Sequence, residues 1–113
     1  MNLEITPEVI ASQLEIGKTE ASLKQIETNI GNTKDFNSFS KHIISLNDKL
    51  KRMNAYVGLS NKESYFKIKC DETELEEGIE KEFLEEVEHW SKKYHVELRQ
   101  LDNKNIFYIL GKN

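Results

Sequence analysis

The residues in this sequence with the best spacing for chemistry are Glu86 and His89. A Glu-x-x-His pair presents both side chains on one face of a helix, which is the spacing that di-iron sites in helical bundles use. Such a site needs a second pair and further carboxylates on facing helices. Phe39 stands three residues before His42, where the second pair would need a glutamate. We therefore predict no metal site.

The sequence contains one cysteine, Cys70, and three histidines. One thiol with scattered imidazoles fits no zinc-ligand spacing, and a nucleophilic thiol needs a nearby base that nothing in the sequence indicates. We interpret Cys70 as a small core residue at the end of a strand. The glycines are isolated, so no phosphate-binding loop is predicted. We expect no catalytic residue and no cofactor, and hence a protein that is not an enzyme.

Acidic residues are concentrated in the segment DETELEEGIEKEFLEEVEHW, residues 71–90. Positions 71–88 hold ten acidic residues and one lysine. Such a surface can dock a basic partner or imitate nucleic acid phosphates. The alternative is the hydrated side of a helix. The pattern favours this alternative because an apolar stripe follows the helical period, at Leu75, Ile79, Phe83, Val87 and Trp90. If the acids do bind a partner, the candidate surface residues are Glu76, Glu77, Glu80 and Glu85.

Basic residues form a smaller candidate surface. The segment SYFKIKC, residues 64–70, alternates between apolar residues and the set Tyr65, Lys67 and Lys69, which predicts a half-buried strand. A strand face of lysine and aromatic residues can bind single-stranded nucleic acid, or it can be an ordinary outer face whose lysines discourage edge pairing. The net charge of −4 favours the second interpretation, so nucleic acid is disfavoured as a partner.

The first half of the chain has the pattern of two long helices. Thr6 and Pro7 fit the start of the first helix. Its apolar residues recur every seven positions up to the glycine at 31, with the polar residues Ser12 and Thr19 at the other inward positions. The recurring residues are Val9, Ile16, Leu23 and Ile30.

The second helix is predicted over 36–57, with Gly58 at its end. Its apolar positions follow the alternating three-residue and four-residue steps of a coiled-coil seam. The seam residues are Phe36, Phe39, Ile43, Leu46, Leu50, Met53 and Val57. The short connection between the two helices predicts an antiparallel hairpin about 36 Å long.

The second half of the chain predicts a β-α-β-β unit, with strands over 64–70, 95–101 and 106–110 and the acidic helix after the first strand. The last strand, IFYIL, is apolar throughout, so we expect it in the middle of a small three-stranded antiparallel sheet. The acidic helix would cover one face of the sheet and the helical hairpin the other. The fold class is thus α+β in one domain over 1–113, with the hairpin over 1–59 and the β-α-β-β unit over 64–113.

The predicted hairpin is longer than a six-residue strand, which spans about 20 Å. Part of its apolar seam would therefore extend beyond the sheet, where another surface must cover it. A second copy of the chain is the simplest partner, and the expected interface consists of Phe36, Phe39, Ile43, Leu46, Leu50 and Met53. We expect a small non-catalytic protein-interaction protein, such as an adaptor, assembly factor or chaperone-like protein, that forms a homodimer and binds an unidentified protein. The alternative is an inhibitor or immunity-type protein whose acidic helix blocks a basic site.

The sequence also bears on location. It has no run of about eighteen apolar residues and no signal-sequence pattern at its start. Its single cysteine suits a reducing compartment. We therefore expect a cytoplasmic protein without a membrane segment.

Overall fold

The computed structural model describes residues 6–60, 62–70, 77–101 and 105–112, with the side chains of all of these except 77–80. Over these ranges the chain forms four α-helices and one antiparallel sheet of four strands, so the predicted α+β class is confirmed. Within the same ranges, no helix combines the length and the apolar content needed to cross a membrane. The elements are α1 Pro7–Gln13, α2 Glu20–Asn32, α3 Phe36–Leu50, a 3-10 turn Lys51–Met53, β1 Ala55–Leu59, β2 Phe66–Cys70, α4 Glu77–Tyr94, β3 Val96–Gln100 and β4 Ile106–Lys112.

The helix that the sequence predicts over 7–30 is divided into two. Its start is as predicted, because Thr6 caps α1 and Pro7 occupies the first turn. After α1 the chain turns at Glu15, which takes a left-handed conformation with φ of 58°. Thr19, which the seven-residue pattern placed inward, instead caps α2, and its Oγ1 accepts the N–H of Ser22 at 3.1 Å. The prediction of one continuous helix is therefore wrong.

The second predicted helix, over 36–57, is too long. α3 ends at Leu50, and after the 3-10 turn Asn54 takes a left-handed φ of 54° that directs the chain into β1. Asparagine tolerates this conformation better than most residues do, so the helical region ends before Gly58. The segment AYVGL, residues 55–59, alternates like a strand and extends the sheet to four strands rather than the predicted three. Residues 6–59 therefore do not form the predicted long helical hairpin.

The strands pair in the order β1-β2-β4-β3, and every pair is antiparallel. β4 lies between β2 and β3, as its apolar sequence predicted. Ile68 lies opposite Val57 on one side and opposite Phe107 on the other, so these side chains share one face of the sheet. We call it the inner face, and its apolar members include Ala55, Val57, Leu59, Phe66, Ile68, Cys70, Leu98, Phe107 and Ile109.

One hydrophobic core joins the inner face to side chains from all four described helices. From α3, Phe36 stacks on Phe66 of β2 with ring centroids 5.5 Å apart. From α4, Phe83 lies 6.2 Å from Phe107 of β4. The acidic helix and the helices before it therefore cover the same face, and the prediction that they cover opposite faces is wrong.

α3 and α4 also contact each other above the sheet. The Trp90 indole N–H donates to the carbonyl oxygen of His42 at 3.0 Å, and the ring of Trp90 lies 6.5 Å from that of Phe39 in an edge-on arrangement. The indole N–H needs an acceptor when it is buried. Placing the two helices side by side supplies this acceptor and buries both apolar stripes in one core.

The edge of the sheet at β1 is closed by α3. The buried side chain of Asn47 accepts the backbone N–H of Val57 at 2.9 Å, so this strand-edge donor is already paired. At the opposite edge, β3 has an irregular register between Glu97 and Leu98. Paired edge donors and bulges both hinder the addition of another strand.

Candidate functional site

The second face of the sheet lies outside the hydrophobic core. Strand alternation places on it Tyr56 and Gly58 of β1, Lys67 and Lys69 of β2, Arg99 of β3, and Ile106 and Tyr108 of β4, and we call it the outer face. Even Tyr108, which is only 3% exposed, does not belong to the core that the helices share with the inner face. A polar and aromatic surface therefore remains on the side of the sheet away from the helices.

Tyr56 is the most exposed large aromatic residue on this face, with 41% of its surface accessible. Its ring lies over Gly58, and a Cβ atom added at position 58 would be only 3.0 Å from Tyr56 Cε2. The glycine thus leaves the space into which the ring settles against the sheet. An aromatic ring held against a sheet, with its other side accessible, can receive another planar group.

Lys69 and Lys67 lie directly across from Tyr56 and Gly58 on the neighbouring strand. Both lysines are half-buried. Neither takes part in an ion pair with any acid in the described parts of the chain. Burial lowers the pKa of Lys67, and the charge of Lys69 lowers it further. Two cations without acidic partners among the described residues therefore lie on the strand beside the exposed tyrosine, and we call Tyr56, Lys67 and Lys69 the Tyr56–lysine patch.

The rest of the outer face is filled by its own contacts. The Tyr108 and Ser60 hydroxyl oxygens lie 2.8 Å apart, and the Tyr65 ring stacks on Tyr108 with centroids 5.8 Å apart. Arg99 lies 5.2 Å above the Tyr108 ring and forms an ion pair with Glu63. Because the aromatic surface is covered and the arginine is paired, this region adds support to the patch rather than a free binding group.

No protein-family model, curated protein or solved structure matches this chain. A functional assignment therefore depends on the physical properties of its surfaces.

The six predicted interface residues lie inside the chain's own core. Phe36, Phe39, Ile43, Leu46, Leu50 and Met53 are all buried, at 3% exposure or less. Their packing stabilises the single chain, and the long hairpin that motivated a dimer through this seam is absent. Self-association itself remains a prediction, which sedimentation velocity at micromolar concentration would test.

The predicted acidic surface falls partly outside the described residues. Glu76 is outside them, as are the side chains of Glu77 and Glu80, whereas Glu85 is exposed on α4. Two other acids of this helix have cationic partners on other elements of the chain. Glu82 pairs with Arg52 at 2.9 Å and Glu86 with Lys49 at 3.8 Å. The charge of the acidic helix is thus partly compensated by α3 and the 3-10 turn.

The residues considered for chemistry are separated from one another. In the described parts of the chain, no three His, Cys, Asp or Glu side chains lie close enough to share a metal ion. Cys70 is buried at the end of β2, as predicted, and its Sγ lies 3.5 Å from the carbonyl oxygen of Met53.

A second group of cations surrounds His42. Its ring stacks on Tyr94 with centroids 3.8 Å apart. Burial lowers the pKa of His42, and the charges of Lys41, Lys93 and Lys112 lower it further. We call His42 and these three lysines the His42 cluster. Sequence reasoning missed this cluster because α3, α4 and β4 each contribute part of it.

Sequence reasoning also missed Tyr56, the exposed aromatic residue of the Tyr56–lysine patch. It recognised the face formed by Lys67 and Lys69 but placed Tyr56 inside a helix. The signal for the correct assignment was the alternation of AYVGL next to Asn54, a residue that readily ends a helix in the left-handed conformation.

Proposed function

We propose that this protein is a non-catalytic interaction protein whose binding surface is the outer face of the sheet. The observation that carries the proposal is the Tyr56–lysine patch, in which an exposed aromatic ring lies beside two half-buried lysines that have no acidic partner among the described residues. Partly burying a cation without a counter-charge costs free energy. An anionic partner at the patch would reduce this cost and cover the tyrosine.

The other surfaces give less support to this function. The predicted seam of α3 is already buried in the core, and both sheet edges hinder strand addition. On α4, Glu82 and Glu86 are paired within the chain. The Tyr56–lysine patch, in contrast, combines exposure with charge that the described residues leave uncompensated.

Comparative capture of partners tests the proposal. Wild-type protein is immobilised beside an outer-face variant, Tyr56→Ala with Lys67→Gln and Lys69→Gln, and an extract of the native host is passed over both. We expect the outer-face variant to retain at least about tenfold less of the specific partner, the loss expected when central interface residues are removed. Circular dichroism and thermal unfolding of the variant check that its fold is intact.

A charge-reversal variant of the acidic helix is the matched control. Changing Glu76, Glu77, Glu80 and Glu85 to lysine should not weaken capture by the outer face, because it removes negative charge and leaves the Tyr56–lysine patch intact. If this variant loses the partner and the outer-face variant keeps it, the inhibitor or immunity-type function becomes the correct one. Equal capture by all three proteins would reject both functions.

A further inference from the structure

We infer that the partner of the outer face is a single-stranded nucleic acid, with a base stacked on Tyr56 and the adjoining phosphates bound by Lys67 and Lys69. This inference rests on the proposed function and specifies its partner. Surfaces that bind single strands without strong sequence preference combine cations along the backbone with aromatic side chains on which bases stack. The Tyr56–lysine patch has both components on neighbouring strands.

The spacing within the patch fits this ligand. Lys67 and Lys69 are two residues apart on one face of β2, so their Cα atoms are separated by about 6.6 Å. This distance is close to that between successive phosphates of an extended single strand. Tyr56 lies directly opposite Lys69, so a base on the ring is adjacent to a phosphate on the lysine.

A paired duplex fits the patch less well. The bases of a duplex already stack on each other, and their faces are not available to an aromatic side chain. A single-stranded base has a free face. The accessible ring of Tyr56, held in place over Gly58, therefore favours single strands over duplexes.

A second copy of the chain is also a poor occupant. A dimer whose two-fold axis passes through the patch brings each patch close to its own copy. Lys67 and Lys69 would then approach the same cations of the other chain, and like charges placed opposite each other are destabilising. An acidic peptide satisfies the lysines, but its carboxylates make no use of the aromatic ring.

The net negative charge of the chain does not prevent this binding, because the acidic residues of α4 lie on the other side of the sheet. α4 packs on the inner face through Phe83, and the exposed Glu85 and Glu88 belong to this helix layer. Lys67 and Lys69 lie on the opposite side of the sheet and point away from this helix layer. A single-stranded nucleic acid that approaches the outer face therefore meets Lys67 and Lys69 before it meets the acids of α4.

Fluorescence anisotropy with labelled twelve-nucleotide oligo-dT and oligo-rU, at low salt, tests the inference. We expect both probes to bind, and a duplex of the same length to bind more weakly. Tyr56→Leu should reduce affinity about tenfold, whereas Tyr56→Phe should bind like the wild type, since stacking needs the ring and not the hydroxyl group. An abasic oligonucleotide should bind the wild type and Tyr56→Leu equally.

The lysines are tested through the salt dependence of binding. Changing Lys67 and Lys69 to glutamine should reduce the slope of log K against log salt by about 1.4, from the counterions released at two phosphate contacts. The matched control, Lys18→Gln with Lys24→Gln, removes two exposed lysines on the helix side and should keep the wild-type slope. A third pair, Lys41→Gln with Lys93→Gln, tests the His42 cluster as a rival site.

The outcomes separate this inference from the function on which it rests. If an Asp-Glu peptide binds the patch and the oligonucleotides do not, the nucleic acid inference is overturned and the interaction function stands. Binding that is insensitive to Tyr56→Leu, or that depends on the Lys41 and Lys93 pair, also overturns it. If no anionic probe binds and the outer-face variant captures partners like the wild type, both proposals fail.

Discussion

Gly111 lies against the backbone of Lys34 so closely that no side chain fits between them. The N–H of Lys112 donates to the carbonyl oxygen of Lys34 at 2.9 Å. The N–H of Lys34 donates in turn to the carbonyl oxygen of Leu110 at 3.3 Å. A Cβ atom at position 111 would lie 2.6 Å from Lys34 Cβ and 2.8 Å from Lys34 Cα. This contact ties the connection between α2 and α3 to the end of the central strand.

Gly111→Ala should therefore destabilise the protein strongly. Gly111 has φ of 135°, a conformation that residues with a side chain rarely adopt, and the added methyl group overlaps backbone atoms that cannot move aside independently. We expect a loss of at least about 2 kcal/mol in the free energy of unfolding, measured by urea denaturation. Gly31→Ala is the control, because nothing lies within 4 Å of its added Cβ. It should stabilise α2 by about 0.5–1 kcal/mol, and equal effects of the two changes would contradict the prediction.

Asn47→Ala should leave a buried backbone donor unpaired. Asn47 Oδ1 accepts the N–H of Val57 at 2.9 Å, and the side chain is buried. Removing the acceptor should cost about 1–3 kcal/mol in the free energy of unfolding. Ser45→Ala, at an exposed position of the same helix, should have little effect. Size-exclusion chromatography of the Asn47 variant would show whether the opened edge of β1 now pairs with other molecules.

Asn29→Leu should stabilise the protein. The side chain of Asn29 is fully buried, and neither its Oδ1 nor its Nδ2 has a hydrogen-bond partner among the described residues. A leucine of similar size removes two unpaired polar atoms, which is worth about 1–3 kcal/mol. A rise in the thermal midpoint checks the prediction, and a fall would indicate that the amide is satisfied by a bound water molecule in solution.

Asn32→Leu is the matched control for this change. It lies on the same helix, but its Nδ2 donates to the carbonyl oxygen of Ser64 at 3.0 Å and its surface is exposed. The same substitution there removes an existing hydrogen bond and buries nothing. It should not stabilise the protein.

The stability of the protein should fall as the pH decreases below 7, partly through His42. Burial and the nearby charges of Lys41, Lys93 and Lys112 lower the pKa of His42 in the folded state, whereas its unfolded value is near 6.5. The unfolded chain therefore binds the proton more readily than the folded chain. The contribution is fully present above about pH 6.5 and is lost as the pH falls from there through the lower folded pKa.

Urea denaturation between pH 7.5 and pH 5 measures this effect. His42→Gln removes the titrating group, so its stability should decrease less over this range than that of the wild type. Lys41→Gln with Lys93→Gln should give an intermediate slope, because burial remains when the charges are removed. Identical slopes for the wild type and His42→Gln would show that other groups govern the pH dependence.

Local features of the fold could be predicted from the sequence. The cap at Thr6 and the ion pair between Glu88 and Lys92, at 2.7 Å, depend on residues three to four positions apart. The central position of β4 followed from its uniformly apolar sequence. Cys70 was correctly assigned to the buried end of a strand. In each case the determining interaction lies within one element or in its overall composition.

The errors arose where one pattern fits two structures. Met53 and Val57 are four residues apart, which suits a helical seam, yet Val57 also alternates with its neighbours in AYVGL and belongs to β1. The left-handed conformation of Asn54 decides between these alternatives. The arrangement of the helices on one face depends on pairs distant in sequence, such as Phe36 with Phe66. Without the position of β1, Tyr56 could not be placed beside the lysines of the outer face.

The two half-buried lysines of β2 give the outer side of the sheet a local positive charge. Exposed carboxylates of α4 lie in the helix layer, and the cations of β2 lie on the far side. A polyanionic ligand of the outer face would be attracted by this local charge before contact, and the lysines of the His42 cluster on the helix side would compete for it. Long-range steering of this kind acts on the rate of encounter and weakens as ionic strength rises.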